Sequence, residues 1–180
     1  MKKIAFVTMI AAAAAFASPA DAQVRPFQIS IAGGPSFPTG HLSDEAGTGY
    51  NVQGSVGFGV RGLPFGLRTD LLWQEFPLTG VDGHFRQIGG LLNATFALPL
   101  PFMQPYLLAG AGLINHSEPE TVHGGHRHDG SSSTDIGFNA GGGVQFPFAG
   151  MSGFVEAKYL NIVGGNEDAR SIPVSIGIRF

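Results

Sequence analysis

The chain has 180 residues, 43% hydrophobic and 13% charged, with 28 Gly, 12 Pro, no Cys and a net charge of −3. One domain is the default for that length, and the charge falls well below the roughly 25% of an ordinary soluble domain. The acidic balance excludes an electrostatic footprint for nucleic acid, and the missing cysteines exclude thiolate chemistry.

The N-terminus reads as an address. Lys2 and Lys3 form a basic start, Ile4 to Phe16 an Ala-rich apolar segment, and Ala20-Asp21-Ala22 a small-residue cleavage site. Residues 1–22 are therefore expected to be a signal peptide, with a mature domain from Gln23 to Phe180. Taking Lys2, Lys3 and Asp21 from the 10 basic and 13 acidic residues leaves a mature charge of −4. Beyond this segment no apolar run reaches the roughly 18 residues a transmembrane helix needs.

The rest reads as strands, because apolar residues recur at every second position. Phe27, Ile29, Ile31 and Gly33 alternate with Gln28, Ser30 and Ala32, followed by a polar, Gly- and Pro-rich gap from Pro35 to Gly49. In the second strand Tyr50, Val52, Gly54, Val56, Phe58 and Val60 oppose Asn51, Gln53, Ser55, Gly57, Gly59 and Arg61. The third runs from Leu67 to Phe76, with Leu67, Thr69, Leu71 and Trp73 facing away from Arg68, Asp70 and Gln74. After a gap from Pro77 to His84, the fourth runs from about Phe85 to Leu98. The fifth, Pro105 to Asn115, has small or apolar residues on both sides, so its facing stays open. The longest gap, His116 to Ser133, precedes a sixth strand with Ile136, Phe138, Ala140, Val144 and Phe146 on one face. In the seventh Val155, Ala157 and Tyr159 oppose Glu156 and Lys158, and the gap Asn161 to Arg170 leads to the last strand.

Three connections repeat Pro-Phe: Pro64-Phe65, Pro101-Phe102 and Pro147-Phe148. Proline cannot donate to a sheet ladder and marks strand ends. One strand, three hairpins on these turns and one closing strand give eight, with both termini on the side of the short turns and four longer, polar loops opposite. Short turns on one side and long loops on the other are the plan of a membrane barrel, and alternating strands of about ten residues match a tilted span.

The charges lie on the faces opposite the hydrophobic ones: Arg61, Arg68, Asp70, Glu156, Lys158 and Arg179. An eight-stranded interior is only wide enough for side chains to fill, so these charges are expected to pair there as a plug while Val, Ile, Leu and Phe meet lipid. A soluble lipocalin-like barrel would need the opposite burial. Phe58, Trp73, Phe96, Tyr106, Phe146 and Tyr159 are expected at the membrane interfaces.

The final strand is the most regular. Ile172, Val174, Ile176, Ile178 and Phe180 alternate with Ser171, Pro173, Ser175, Gly177 and Arg179. This ending resembles the closing strand of bacterial outer-membrane barrels. With the signal peptide and eight alternating strands, the whole mature chain resembles the small OmpA-like, opacity-type outer-membrane β-barrel family. The resemblance implies an all-β, eight-stranded antiparallel up-and-down barrel in the outer membrane, with both termini periplasmic. It makes Phe180 the signal read by the barrel-assembly machinery, and outer-membrane lipid and lipopolysaccharide the surroundings. An anchoring role on peptidoglycan is not among the properties the resemblance implies here.

All six histidines, His41, His84, His116, His123, His126 and His128, fall in the expected loops. His116, His123, His126 and His128 share one loop with Glu118, Glu120 and Asp129, a donor set that suits a weak surface site for zinc or a similar transition metal. A solvated Gly-rich loop with incidental histidines accounts for the same residues. No other cofactor is expected. His126, His128, Asp129, Ser131 and Asp135 contain the ingredients of a Ser-His-Asp site, but triads are recognised by geometry. Gly57 to Gly62 fits G-x-G-x-x-G by letter yet opens no helix, and Gly141-Gly142-Gly143 lacks the Lys of a phosphate loop. The expected role is a structural or surface-interaction protein whose loops meet an unidentified extracellular ligand. A narrow channel for small solutes is the alternative, and an enzyme acting on outer-membrane lipid the third.

Overall fold

Apolar residues at every second position cannot fill one side of a helix, but they cover one side of a pleated strand completely. In the computed structural model, which describes residues 27–59, 63–80, 83–98, 100–117, 121–123, 126–128, 132–148, 150–164 and 169–180, these segments are extended. The elements are β1 (Phe27–Thr39), α1 (Leu42–Glu45), β2 (Gly49–Gly59), β3 (Phe65–Pro77), β4 (His84–Ala97), β5 (Gln104–Ser117), β6 (Thr121–His123), β7 (His126–His128), β8 (Ser132–Phe148), β9 (Met151–Val163) and β10 (Ala169–Arg179). The signal peptide expected over residues 1–22 lies outside the described residues.

Eight strands close in the order β1-β10-β9-β8-β5-β4-β3-β2, every neighbour antiparallel. Closure leaves no unpaired sheet edge, the condition for strands surrounded by hydrocarbon. The side chains are arranged inside out. Leu71, Leu107, Leu113 and Ile176 are 62–69% exposed on the outer face, while Arg68, Asp70, Glu156 and Lys158 are at most 4% exposed within. Aromatic rings collect near both ends of that face. Tyr50 and Trp73 meet edge to face at 5.2 Å near the loop end, and Phe27–Phe58 and Phe65–Phe96 pair at 5.3 and 5.1 Å near the termini, the girdle pattern of a membrane barrel.

Several expectations are corrected. Tyr106 is 6% exposed and points inward, because β5 carries small and apolar residues on both faces and the facing is set only by its partners. A Cβ on Gly143 would lie 2.7 Å from the Tyr106 ring, so the glycine makes room for it. β1 does not stop at Pro35 but runs on through Pro38 to Thr39. The loop asymmetry is also smaller than expected. β3–β4 and β9–β10 are joined by six and five residues, no longer than the six between β4 and β5. Only two connections are long: the nine residues holding α1, and the fourteen in which β6 and β7 pair with each other.

Prolines mark the seam where the ring closes. The β1–β10 ladder breaks between Gly33↔Ile176 and Ser36↔Pro173, and neither Pro35 nor Pro173 has an N–H to give. The Asn51 amide, from β2, donates to the carbonyls of Gly34 and Pro35 at 3.0 Å each and to that of Val174 at 3.4 Å. The Ser175 hydroxyl in turn donates to Asn51 Oδ1 at 2.6 Å. One buried side chain thus supplies donors where the ladder lacks them.

Candidate functional site

The period of two puts Arg68 and Asp70 on the inner face of β3, and Glu156 and Lys158 on that of β9. In the eight-membered ring β3 and β9 are four strands apart, directly opposite one another. Contacts between them therefore cross the full lumen. The Arg68 guanidinium grips Glu156 with both forks, Nη1 to Oε2 at 2.6 Å and Nη2 to Oε1 at 2.9 Å. It also lies 2.7 Å from Asp70 Oδ1 through Nε. Lys158 Nζ contacts Asp70 at 3.1 Å and Glu156 at 3.6 Å.

Neutral groups complete the layer. Gln53 accepts from Lys158 at 2.6 Å and donates to Glu156 at 3.1 Å. Asn93 donates to Asp70 at 3.0 Å and the Tyr106 hydroxyl to Glu156 at 2.8 Å. Two cations and two anions cancel, and the bidentate arginine–carboxylate pair is the strongest geometry available to them. The layer is a neutral, cross-braced plate.

Two apolar layers lie on its loop side. Leu72 and Leu160 follow two residues after Asp70 and Lys158, and with Leu91, Ile114 and Ile162 they form a buried cluster. A Cβ on Gly137 of the neighbouring β8 would lie 2.7 Å from Ile114 Cδ1, so the glycine makes room for this layer. Further out Ser36, Gln74 and Gln87 are hydrogen-bonded in series. Phe76 and Phe85 then pack with Leu42 and Ala46 of the α1 loop to cover the mouth. Backbone bonds from Gly47 to Pro77 and from Thr79 to Glu45, both 2.8 Å, tie that loop to the β3–β4 connection.

Arg179 stands apart from the plate, on its termini side. It stacks on the rings of Tyr106 and Phe154, 5.3 and 5.0 Å from their centroids, and donates to Gln145 at 2.5 Å. Arg61 lies outside the described residues. Phe180 sits on the outer face, 47% exposed, its N–H bonded to the Ile29 carbonyl at 2.8 Å.

At the loop end His116 Nδ1 lies 3.4 Å from Asp135, and the Ser133 hydroxyl donates to the same carboxylate at 3.0 Å. A nucleophilic serine must give its proton to the imidazole; here the carboxylate takes it. Among the described residues no three His, Asp or Glu side chains converge as metal ligands. The side chains of His123, His126 and His128, with Asp129 and Ser131, lie outside the described residues. Sequence reasoning missed Gln53, Asn93, Tyr106 and Asn51. All but Tyr106 sit at inward positions of regular strands, and that polarity on a buried face was the available signal.

Over residues 5–180 the sequence matches the outer membrane protein beta-barrel domain family. No curated protein sequence matches the chain. Among solved structures it is similar to Neisserial surface protein A (19% identity, 86% of this chain and 96% of that one, TM-score 0.65). It is also similar to Ail, the attachment invasion locus protein of Yersinia pestis (18%, 86% and 97%, TM-score 0.57). The outer membrane enzyme PagL has the same fold (15%, 85% and 98%, TM-score 0.51), so the architecture hosts both surface proteins and an enzyme.

Proposed function

We infer that this chain, which belongs to the outer membrane protein beta-barrel domain family, is a non-conducting surface-interaction protein of the bacterial outer membrane. The observation that carries the reading is the sealed lumen. One cross-braced ionic layer and two apolar layers lie in series between the barrel ends. Ions cross a barrel only where water fills it, and an eight-stranded interior is only wide enough for side chains to fill. Function then falls to the ends, where the α1 connection and the β6–β7 hairpin give the loop side its length. We orient the termini to the periplasm and these two connections outward, toward a partner or ligand.

Single-channel recording in a planar bilayer tests the reading. The inserted barrel, recognised by its heat-modifiable gel mobility, is expected to stay silent at up to 100 mV. Steady, resolved steps of conductance would replace it with a narrow pore.

A further inference from the structure

At the loop end of the lumen, one imidazole nitrogen is buried without a hydrogen bond. His116 of β5 and Asp135 of β8 sit on paired strands, where His116 stands opposite Ser133 and Ile114 opposite Asp135. Nδ1 of His116 has no hydrogen-bond partner among the described residues, although Asp135 Oδ2 lies 3.4 Å away. That separation exceeds the roughly 2.7–3.2 Å of an N–H···O bond. It is close to the spacing of two ligands on one tetrahedral zinc ion. Bonds of about 2.0–2.1 Å put neighbouring ligand atoms about 3.3 Å apart.

Both side chains are held from behind. The Ser133 hydroxyl donates to Asp135 Oδ2 at 3.0 Å, the kind of outer contact that orients a ligating carboxylate. Gly164 leaves space on another side, because a Cβ there would overlap the Asp135 carboxylate. The His116 ring lies 5.8 Å from that of Phe85, which belongs to the apolar cover of the mouth. The Asn115 amide donates to Ser132 Oγ and the Ser133 carbonyl at 3.1 Å each, and to Thr134 Oγ1 at 3.0 Å. These bonds fasten β5 to β8 at the level of the pair, and ligands on rigid strands are placed more precisely than ligands on loops. The side chains of His116 and Asp135 stay 21% and 14% exposed, enough for an ion to reach them.

The connection between these two strands carries the β6–β7 hairpin, whose register sets His123 opposite His126 and Thr121 opposite His128. We propose that the loop end binds a zinc-type transition-metal ion, anchored by His116 Nδ1 and the Asp135 carboxylate and completed from the β6–β7 hairpin. Imidazole combined with carboxylate suits zinc and its transition-metal neighbours, whereas magnesium takes oxygen ligands alone. The site stands whether or not the lumen conducts.

The test adds zinc chloride to the untagged protein, purified from membranes in a chelator-free detergent buffer. Calorimetry gives the affinity, and NMR follows the imidazole nitrogens. Zinc is expected to bind saturably and to shift His116 Nδ1, and magnesium at the same concentration to do neither. His116→Gln keeps a donor toward Asp135, and Asp135→Asn keeps the shape of its side chain, so heat-modifiable mobility is expected to survive in both. Each is expected to weaken zinc binding at least tenfold, as is replacing residues 121–128 with a Gly-Ser linker. No saturable binding, or no shift at His116 Nδ1 in the unaltered protein, overturns the proposal without recourse to any variant. Full affinity in His116→Gln and Asp135→Asn overturns it too, by leaving the metal on the hairpin alone. Full affinity in the linker variant overturns the hairpin's part.

Discussion

Arg68 meets Glu156 through one pair of nitrogens and Asp70 through another. Removing it would leave two buried carboxylates facing the single charge of Lys158. Breaking a buried pair by deleting one partner costs about 3–5 kcal/mol, whereas replacing both with neutral groups of similar shape is close to neutral. Arg68→Leu is therefore expected to destabilise the barrel by about that much in urea unfolding followed by gel mobility. Arg68→Met combined with Glu156→Gln should recover most of the loss, because Asp70 and Lys158 still balance. That these charges face inward was legible from alternation alone. Their pairing was not, because partners four strands apart depend on ring size and stagger. Tyr106 shows the limit most directly: with Leu107, Leu108 and Ala109 following it, no polar face existed to orient the strand.

β1 forms ten residue pairs with β2 but only eight, interrupted, with β10. Asn51 compensates at the interruption by donating to three carbonyls on both sides of the seam. Asn51→Ala orphans those acceptors and the Ser175 hydroxyl, at a cost of about 1–3 kcal/mol. Hydrogen exchange is expected to accelerate at β1 and β10 amides while β4–β5 amides keep their protection; uniform acceleration would contradict a local role. The sequence shows both prolines plainly: Pro35 reads as the end of the first strand, and Pro173 as one position in the alternation of the last. The ladder continues past both because a side chain from a third strand supplies the missing donor, and nothing in one strand's pattern reveals a neighbour's reach. The β6–β7 hairpin was also missed, although Gly124-Gly125 between His123 and His126 is a two-residue turn signal.

At the scale of the whole molecule, eight strands form one ring and the β6–β7 hairpin forms a sheet of its own. Barrel stability and loop display are therefore separable. Replacing residues 121–128 with a Gly-Ser linker is expected to leave heat-modifiable mobility and the unfolding midpoint unchanged, while removing any surface binding this loop supports. A fall in the midpoint would show that the hairpin braces the ring. The ring also has a mechanical consequence. β1 begins and β10 ends on the same side, and the two strands are neighbours in antiparallel register. Tension applied to the two chain ends thus loads one pair of backbone hydrogen bonds at a time, as in opening a zipper, rather than shearing the whole ladder together. Under such a pull the barrel would part first at its proline-broken seam, at low force, and the rupture would travel from the termini toward the loops.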